Sequence, residues 1–299
     1  MTTRRRVLSI LAGAAALPML GSGAGAAPQH WRGIALGAEA RIVLDHPNAP
    51  ALIAASVQEI QRLEKIFSLY LSDSQLSKLN REGSLESPAF ELVELLSLCS
   101  SIHARTSGAF DPTVQSLWAL YAQSFAAGTP PSPSEISETL GQTGWAQLRY
   151  SPAKIRFEKS GMALTLNGIA QGYIADRIVA LLRRGGVENA LVNTGEIASL
   201  GAAENNSGWP VRLSGVSGDP LMLSNMAVAT SAPAGTTFDS EASVGHIIDP
   251  RTGVPGGKWR SVSVLSGSAA EADGLSTAFC LMQRPEIVEA KGSAQVFLS

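Results

Sequence analysis

Asp273 and Thr277 stand four residues apart in EADGLSTAF. On a helix that spacing puts a carboxylate and a hydroxyl one turn apart on one face. With no imidazole or thiolate beside them, the pair suits a hard cation such as Mg²⁺. Its alternative is an acid favoured by the helix dipole and a threonine bonding back to a carbonyl. A second stretch, GHIIDPRTG (245–253), brackets an apolar pair with His246 and Asp249 before turn-forming residues. His246 is the one histidine of four inside a dense polar motif, where an imidazole could move a proton; the alternative is a satisfied strand histidine. In TLNGIAQGY (165–173) two glycines and two amides occupy an expected strand-to-helix junction. Such a junction offers N–H groups to an anion or carbonyls to a cation, or uses glycine only to relieve crowding. SGAFDPT (107–113) is a turn after a helix, which meets a ligand through its backbone or simply caps the helix.

Other chemistries lack their residues. No GxSxG, HExxH, Walker A or GxGxxG pattern is present. Ser151 and Lys154 match SxxK, but they fall in a turn, not at the helix start that chemistry requires. Cys99 and Cys280 are the only cysteines and lie in apolar helical runs, so buried free thiols are expected and zinc or iron–sulfur sites are not. Net charge is −2, which leaves no electrostatic footprint for nucleic acid.

These residues need elements to position them. The chain has 299 residues, 45% of them hydrophobic, enough for one domain or two joined lobes. Residues 31–45 read as strand, turn, strand. Ala49–Phe67 reads as a helix with a stripe of Ile53, Val57, Ile60, Leu63, Ile66 and Phe67. A short helix capped by Ser72 or Asp73, a helix over Pro88–Arg105 and a helix starting near Ser134 follow. Strands are expected at Gln147–Tyr150, Lys154–Phe157 and Met162–Leu166, and a helix at Ala170–Arg184, stopped by Gly185-Gly186. Strands and turns alternate from Ala190 to about Val264, before a helix over about Ala272–Met282.

At the N-terminus, Arg4-Arg5-Arg6 precedes an apolar stretch from Ile10 to Leu20 and the small residues Ala24-Gly25-Ala26. This predicts a twin-arginine signal peptide over 1–26, cleaved after Ala26 or Ala27, and a periplasmic mature chain from residue 27. An uncleaved anchor is the alternative, although the apolar run is short for a bilayer.

ALGAEA (35–40), FSLYLSDSQLSKLN (67–80), GAFDPTV (108–114), LNGIAQGY (166–173), NTGEIASLG (193–201), VATS (228–231), HIIDPRTG (246–253) and ADGLSTA (272–278) occur together and in this order. With them the chain resembles the ApbE family, the FAD:protein FMN transferases. The resemblance implies an α+β fold, a single domain of mixed sheets and helices in two lobes with a ligand cleft between them. It implies FAD as substrate, Mg²⁺ on its pyrophosphate, and attack by a threonine of a target flavoprotein on the FMN-side phosphorus, with AMP leaving. By residue it implies Gly168 (carbonyl), Asp273 and Thr277 as metal ligands, and His246 as proton acceptor or positioner, with Asp249 a competing base. Leu36, Tyr70, Ala109, Phe110, Asp111, Thr165, Gln171 and Ile248 match the family's FAD contacts.

The match has departures. The family's common D-L-G-G-I-A-K-G reads Thr165-Leu166-Asn167-Gly168-Ile169-Ala170-Gln171-Gly172, so an acid and a base are both neutral. G-G-D becomes Thr194-Gly195-Glu196, and the usual tyrosine after Ser231 is missing. These forms look like a subgroup including NosX-type proteins, which flavinylate the membrane protein NosR; that implies a membrane-bound acceptor. An FAD pyrophosphatase and a non-catalytic flavin-binding protein stay open as other readings.

Overall fold

The structure is a computed structural model and describes residues 14–16, 28–203 and 207–299. The expected signal peptide and its cleavage site lie outside the described residues, except that Ala14–Ala16 form a short strand, β1. After it come β2 (Gln29–Ala35) and β3 (Ala38–Leu44), joined by a two-residue turn in which Leu36 and Gly37 both have positive φ. Helix α1 (Ala49–Phe67) buries Ile60, Leu63, Ile66 and Phe67, the C-terminal part of the stripe. Then follow α2 (Gln75–Glu82), β4 (Ser84–Glu86), α3 (Phe90–Arg105), α4 (Gln115–Ala126) and α5 (Pro133–Leu140). The α2 cap is Ser74, whose hydroxyl accepts from Ser77 N–H, not Ser72 or Asp73. Ser132 and Glu135 close a reciprocal capping box on α5. Strands β5 (Leu148–Tyr150) and β6 (Lys154–Phe157) precede α6 (Ala170–Arg184). The remainder is β7 (Ala190–Asn193), β8 (Ile197–Leu200), β9 (Trp209–Leu213), β10 (Leu221–Leu223), β11 (Ala227–Ser231), β12 (Val262–Ser266), α7 (Ala269–Phe279), α8 (Arg284–Ala290) and β13 (Gln295–Leu298).

A seven-stranded antiparallel sheet in the order β13-β12-β11-β8-β7-β3-β2 forms the centre. Its central strands are buried on both faces, and the strand period of two divides their side chains. Ile42, Ala190, Val192, Ala198, Ala227 and Ala229 point to the main core with α1, α3, α6 and α7. Val43, Leu191, Ile197 and Val228 point the other way, onto Trp209, Val211 and Leu213 of a small sheet ordered β1-β9-β10. At the contact of α6 and α7 a Cβ on Gly172 would overlap the Ala269 carbonyl, so glycine sets how closely these helices approach.

A separate apolar cluster lies under α4, α5 and the segment between β11 and β12. There Phe238 contacts the rings of Trp118, Tyr121 and Phe125 at centroid distances of 5.4, 5.6 and 6.3 Å. The fold is therefore α+β, with a sheet-centred lobe and this smaller one beside it. Among the described residues no helix is long and apolar enough to cross a membrane.

Other expectations change as well. Met162–Leu166 is not a strand, since it forms only one isolated bridge, at Ala163. The Asn80 side chain takes both backbone groups of Leu164 (2.7 and 2.8 Å), and Thr165 N–H donates to Pro112 O (2.9 Å), so this segment's polar groups are spent off any ladder. Helix α7 begins at Ala269, capped by Ser268, and not near Ala272. Asp273 consequently stands in the second turn, beyond the range of a first-turn dipole interaction; the first-turn acid is Glu271.

Candidate active site

A cavity of about 320 Å³ opens where the two lobes meet. Four segments distant in sequence supply much of its lining, each held by its own local chemistry. The first is the turn after α3. Ser107 and Gly108 have positive φ, and Gly108 N–H returns to His103 O (2.9 Å). His103 Nδ1 hydrogen-bonds Phe110 O (2.8 Å), and its ring stacks on Trp145. Ala109, Phe110 and Asp111 thereby present themselves to the cavity. The Asp111 carboxylate, however, is committed to the fold. It accepts from Thr113 N–H (2.9 Å), Thr113 Oγ1–H (2.7 Å) and Trp145 N–H (3.0 Å).

The second segment is the junction into α6, which contributes Thr165, Asn167, Gly168 and Gln171. Thr165 Oγ1 accepts from Asn167 N–H (3.2 Å). The helix end is not a free anion cradle. Gly172 N–H donates to Asp273 Oδ2 (3.2 Å), Ala170 N–H to Leu166 O (2.8 Å) and Tyr173 N–H to Ile169 O (3.0 Å). Gly168 lies against Thr277, and a Cβ placed on it would be 2.9 Å from Thr277 Oγ1.

Helix α7 provides the third segment with Asp273 and Thr277. Thr277 Oγ1 is 3.3 Å from Ser231 Oγ, which is itself 2.7 Å from Ser276 Oγ. Asp273 is 3% exposed. Burial drives its pKa upward, and the single bond from Gly172 N–H offsets only part of that. Glu196, in the turn before β8, also lines the cavity and is 4% exposed. Burial, then the charge of Asp273, pushes its pKa well up, against one hydrogen bond from Thr230 N–H (3.2 Å). Glu196 is not among the site residues expected from sequence: its carboxylate is visible there, but its burial depends on β11, more than thirty residues further on.

The fourth segment carries His246. Residues 236–238 and 244–246 form a small hairpin: His246 N–H donates to Thr236 O (3.0 Å) and Phe238 N–H to Val244 O (2.9 Å). Asp239 closes its tip by accepting from Ser243 and Val244. His246 Nδ1 is 3.0 Å from Thr236 O, and a carbonyl only accepts, so Nδ1 carries the proton and Nε2 the lone pair. Burial lowers the His246 pKa, against backbone bonds that favour the charged ring, so the imidazole is neutral near pH 7.

Of the thirteen residues singled out from sequence, eleven line this cavity: Tyr70, Ala109, Phe110, Asp111, Thr165, Gly168, Gln171, His246, Ile248, Asp273 and Thr277. Leu36 and Asp249 do not. Leu36 N–H is held by Glu64 Oε1 (2.8 Å) in the β2–β3 turn, and the next residue, Gly37, approaches the Tyr70 ring. Asp249 grips Arg251 through two parallel bonds, from Nε (2.9 Å) and Nη2 (2.8 Å). Burial opposes its charge, but the Arg251 bonds outweigh burial and hold its pKa below the ordinary carboxylate value. It is therefore a weak base. Both cysteines are buried free thiols, and burial pushes each pKa up.

Among the described residues no group of three or more His, Cys, Asp and Glu side chains gathers to hold a metal. The donors at α7 are instead mixed, the Asp273 carboxylate and the Thr277 hydroxyl, with Gly168 packed against Thr277. All are oxygens, and no Lys or Arg among the described residues pairs with Asp273 or Glu196. Buried carboxylates lacking a counter-charge, in an all-oxygen corner, fit a hard divalent cation.

The FAD:protein FMN transferase of Treponema pallidum is 27% identical over 275 residues, covering 82% of this chain and 76% of that protein. The crystal structure of the flavinyl transferase ApbE of Pseudomonas stutzeri superposes with a TM-score of 0.79 at 26% identity, covering 91% of this chain and 90% of that one. The ApbE protein of Thermotoga maritima gives 0.80 at 28% identity, covering 91% and 94%. The sequence profile of the ApbE family matches residues 36–297, a range that holds every residue lining the cavity. The chain belongs to the ApbE family.

Proposed function

We propose that the protein is an FAD:protein FMN transferase that moves FMN from FAD to a threonine hydroxyl of an acceptor protein and releases AMP. The observation that carries this reading is one cavity holding both a histidine whose Nδ1 is held by Thr236 O and a buried oxygen-donor corner at Asp273 and Thr277. Relatives named FAD:protein FMN transferase support it.

His246 acts first on the acceptor. Thr236 O fixes its ring, and Nε2 takes the proton as the acceptor oxygen forms a bond to the FMN-side phosphorus. The bond between that phosphorus and the bridging oxygen breaks, and AMP leaves with the electron pair. Asp273, Thr277 and the Gly168 carbonyl would hold Mg²⁺, which supplies neutralisation of the pyrophosphate charge. Tyr70, 56% exposed at the mouth, and the Ala109–Phe110 turn offer apolar faces to the flavin ring.

Incubation with FAD, Mg²⁺ and a threonine-bearing acceptor domain should put acid-stable flavin on the acceptor with one AMP released per flavin. No labelled acceptor, while another family member succeeds, would sink the reading. AMP released equally fast without acceptor would make it a pyrophosphatase. The arginine-rich leader supports export by the twin-arginine route, and the TLNGIAQG and TGEI forms support a membrane-bound acceptor of the NosR kind. A reporter fused to residues 1–40 that stays in the cytoplasm would remove the first, and unchanged flavin on that acceptor in a strain lacking this gene would remove the second.

A further inference from the structure

Two carboxylates reach the first turn of α6 from different parts of the chain. Thr194 Oγ1–H donates to Gln171 O (2.8 Å), and Gly195, at φ 105°, packs against the Gln171 amide so closely that a Cβ there would lie 2.5 Å from its carbon. That contact fixes Glu196 beside residue 171. One residue further along α6, Gly172 N–H receives Asp273. Glu196 takes its one donor from Thr230 N–H, and the next residue of β11, Ser231, lies 3.3 Å from Thr277 Oγ1. Glu196, Asp273 and Thr277 thus surround one corner of the cavity.

Each carboxylate accepts one hydrogen bond, and Glu196 Oε1 and Asp273 Oδ1 have no donor among the described residues. The same fold gives Asp176 three donors (2.7, 2.8 and 3.0 Å), so poor satisfaction is not general to its buried acids. Two adjacent buried carboxyls without a counter-ion are costly to ionise unless a cation joins them. Their summed charge matches one divalent ion without help from a phosphate.

We propose that Glu196 and Asp273 together form a divalent-cation site that fills before the flavin dinucleotide enters. The use of this cation rests on the transferase reading. Its loading does not, because it is measured without flavin or acceptor, and so the two can fail separately. The probe is Mn²⁺ added to EDTA-stripped, nucleotide-free protein, followed by calorimetry and by loss of the free-ion EPR signal. Wild type should bind one ion per chain. Glu196→Gln should weaken binding about tenfold or more, and Glu196→Asp by less. Gln keeps an acceptor for Thr230 N–H and removes an ionisable group, so in EDTA Glu196→Gln should melt at or above the wild-type temperature, and a given Mn²⁺ concentration should raise the melting temperature of wild type more than that of the variant. Three results would each overturn the proposal: no Mn²⁺ bound by wild type without FAD, unchanged binding by Glu196→Gln, or melting of that variant below wild type in EDTA.

Discussion

Asp176 and Asp273 face each other's helices across the contact of α6 and α7, and the fold treats them in opposite ways. Asp176, on α6, caps α7 by accepting from Ser268 Oγ–H, Ala269 N–H and Ala270 N–H. Asp273, on α7, receives only Gly172 N–H of α6. Burial raises both pKa values, but for Asp176 three hydrogen bonds pull against burial and for Asp273 only one does. Asp111 belongs with Asp176, since three donors converge on it although its residue lines the cavity. Glu196 belongs with Asp273. The number of donors therefore separates acids that hold the fold from acids held ready for a ligand.

The largest effect that sharpens this contrast is expected at Asp273. Asp273→Asn keeps an oxygen for Gly172 N–H and removes the charge that a cation needs. Transfer should fall by about 10³-fold, several kcal/mol of lost charge stabilisation. Melting in EDTA should not fall, because Asn keeps that bond and removes a buried carboxyl whose ionisation nothing compensates. An inactive variant that also melts well below wild type would place Asp273 with Asp176 and break the comparison.

The next effect tests whether the base is an imidazole or one of these acids. His246→Asn should slow transfer by about 10²-fold or more. In the wild type, base catalysis needs the neutral ring, and burial lowers its pKa from the ordinary 6.5. The rate should then rise with pH through a midpoint below 6.5 and level off above it. Because the unfolded chain binds this proton more readily, the same shift contributes stability that is present above 6.5 and declines as pH falls below it. Rate measurements from pH 5 to 8 check both variant and wild type; an acid limb that survives in His246→Asn would assign the limb to another group.

Parts of this arrangement are legible in the chain alone. Helices α1 and α6 follow from periodic apolar residues bounded by breakers, and their ends fall where the sequence places them. Helix α4 leaves no such trace: QSLWALYAQSFA is apolar with little contrast between faces, and its burial depends on Ile248 and Phe238, brought in from a loop more than a hundred residues away. Asp273, Thr277 and His246 stand out by residue type and motif. The pairing of Asp273 with Glu196 does not, because it is made by Gln171, Gly172 and Thr230, none adjacent to either acid in sequence. The separation of Asp249 from His246 is hidden for the same kind of reason, since only the folded turn shows its carboxylate turned onto Arg251.

At Asp176 the expected effect is on stability. Asp176→Ala leaves three α7 donors without acceptors, each worth about 1–3 kcal/mol when buried and unsatisfied, less whatever water recovers. A loss of about 3 kcal/mol should lower the melting temperature by roughly 5–10 °C. Below that temperature the folded variant should bind Mn²⁺ like wild type and transfer within about threefold of it, because a cap positions the helix and touches no substrate. Melting by circular dichroism and transfer at 15 °C separate the two readouts. If binding collapses while melting hardly moves, Asp176 is itself part of the cation site.

The smallest effect is expected at Asp249, which shares its motif with His246 yet is satisfied like Asp176. Its carboxylate accepts from Arg251 N–H as well as from the guanidinium, and its own carbonyl accepts from Thr252 and Gly253 N–H to close the turn. Asp249→Asn keeps an acceptor for the backbone bond but loses the charge-assisted pair. Arg251 is about a third exposed, so the pair is worth about 0.5–1 kcal/mol. Transfer should stay within about threefold of wild type, with its acid limb unmoved, because Nε2 of His246 is still held by Thr236 O through Nδ1. If Asp249→Asn instead falls as far as His246→Asn and its acid limb vanishes, the proton is taken by an acid bound to arginine. Donor count would then no longer distinguish scaffold from chemistry in this cleft.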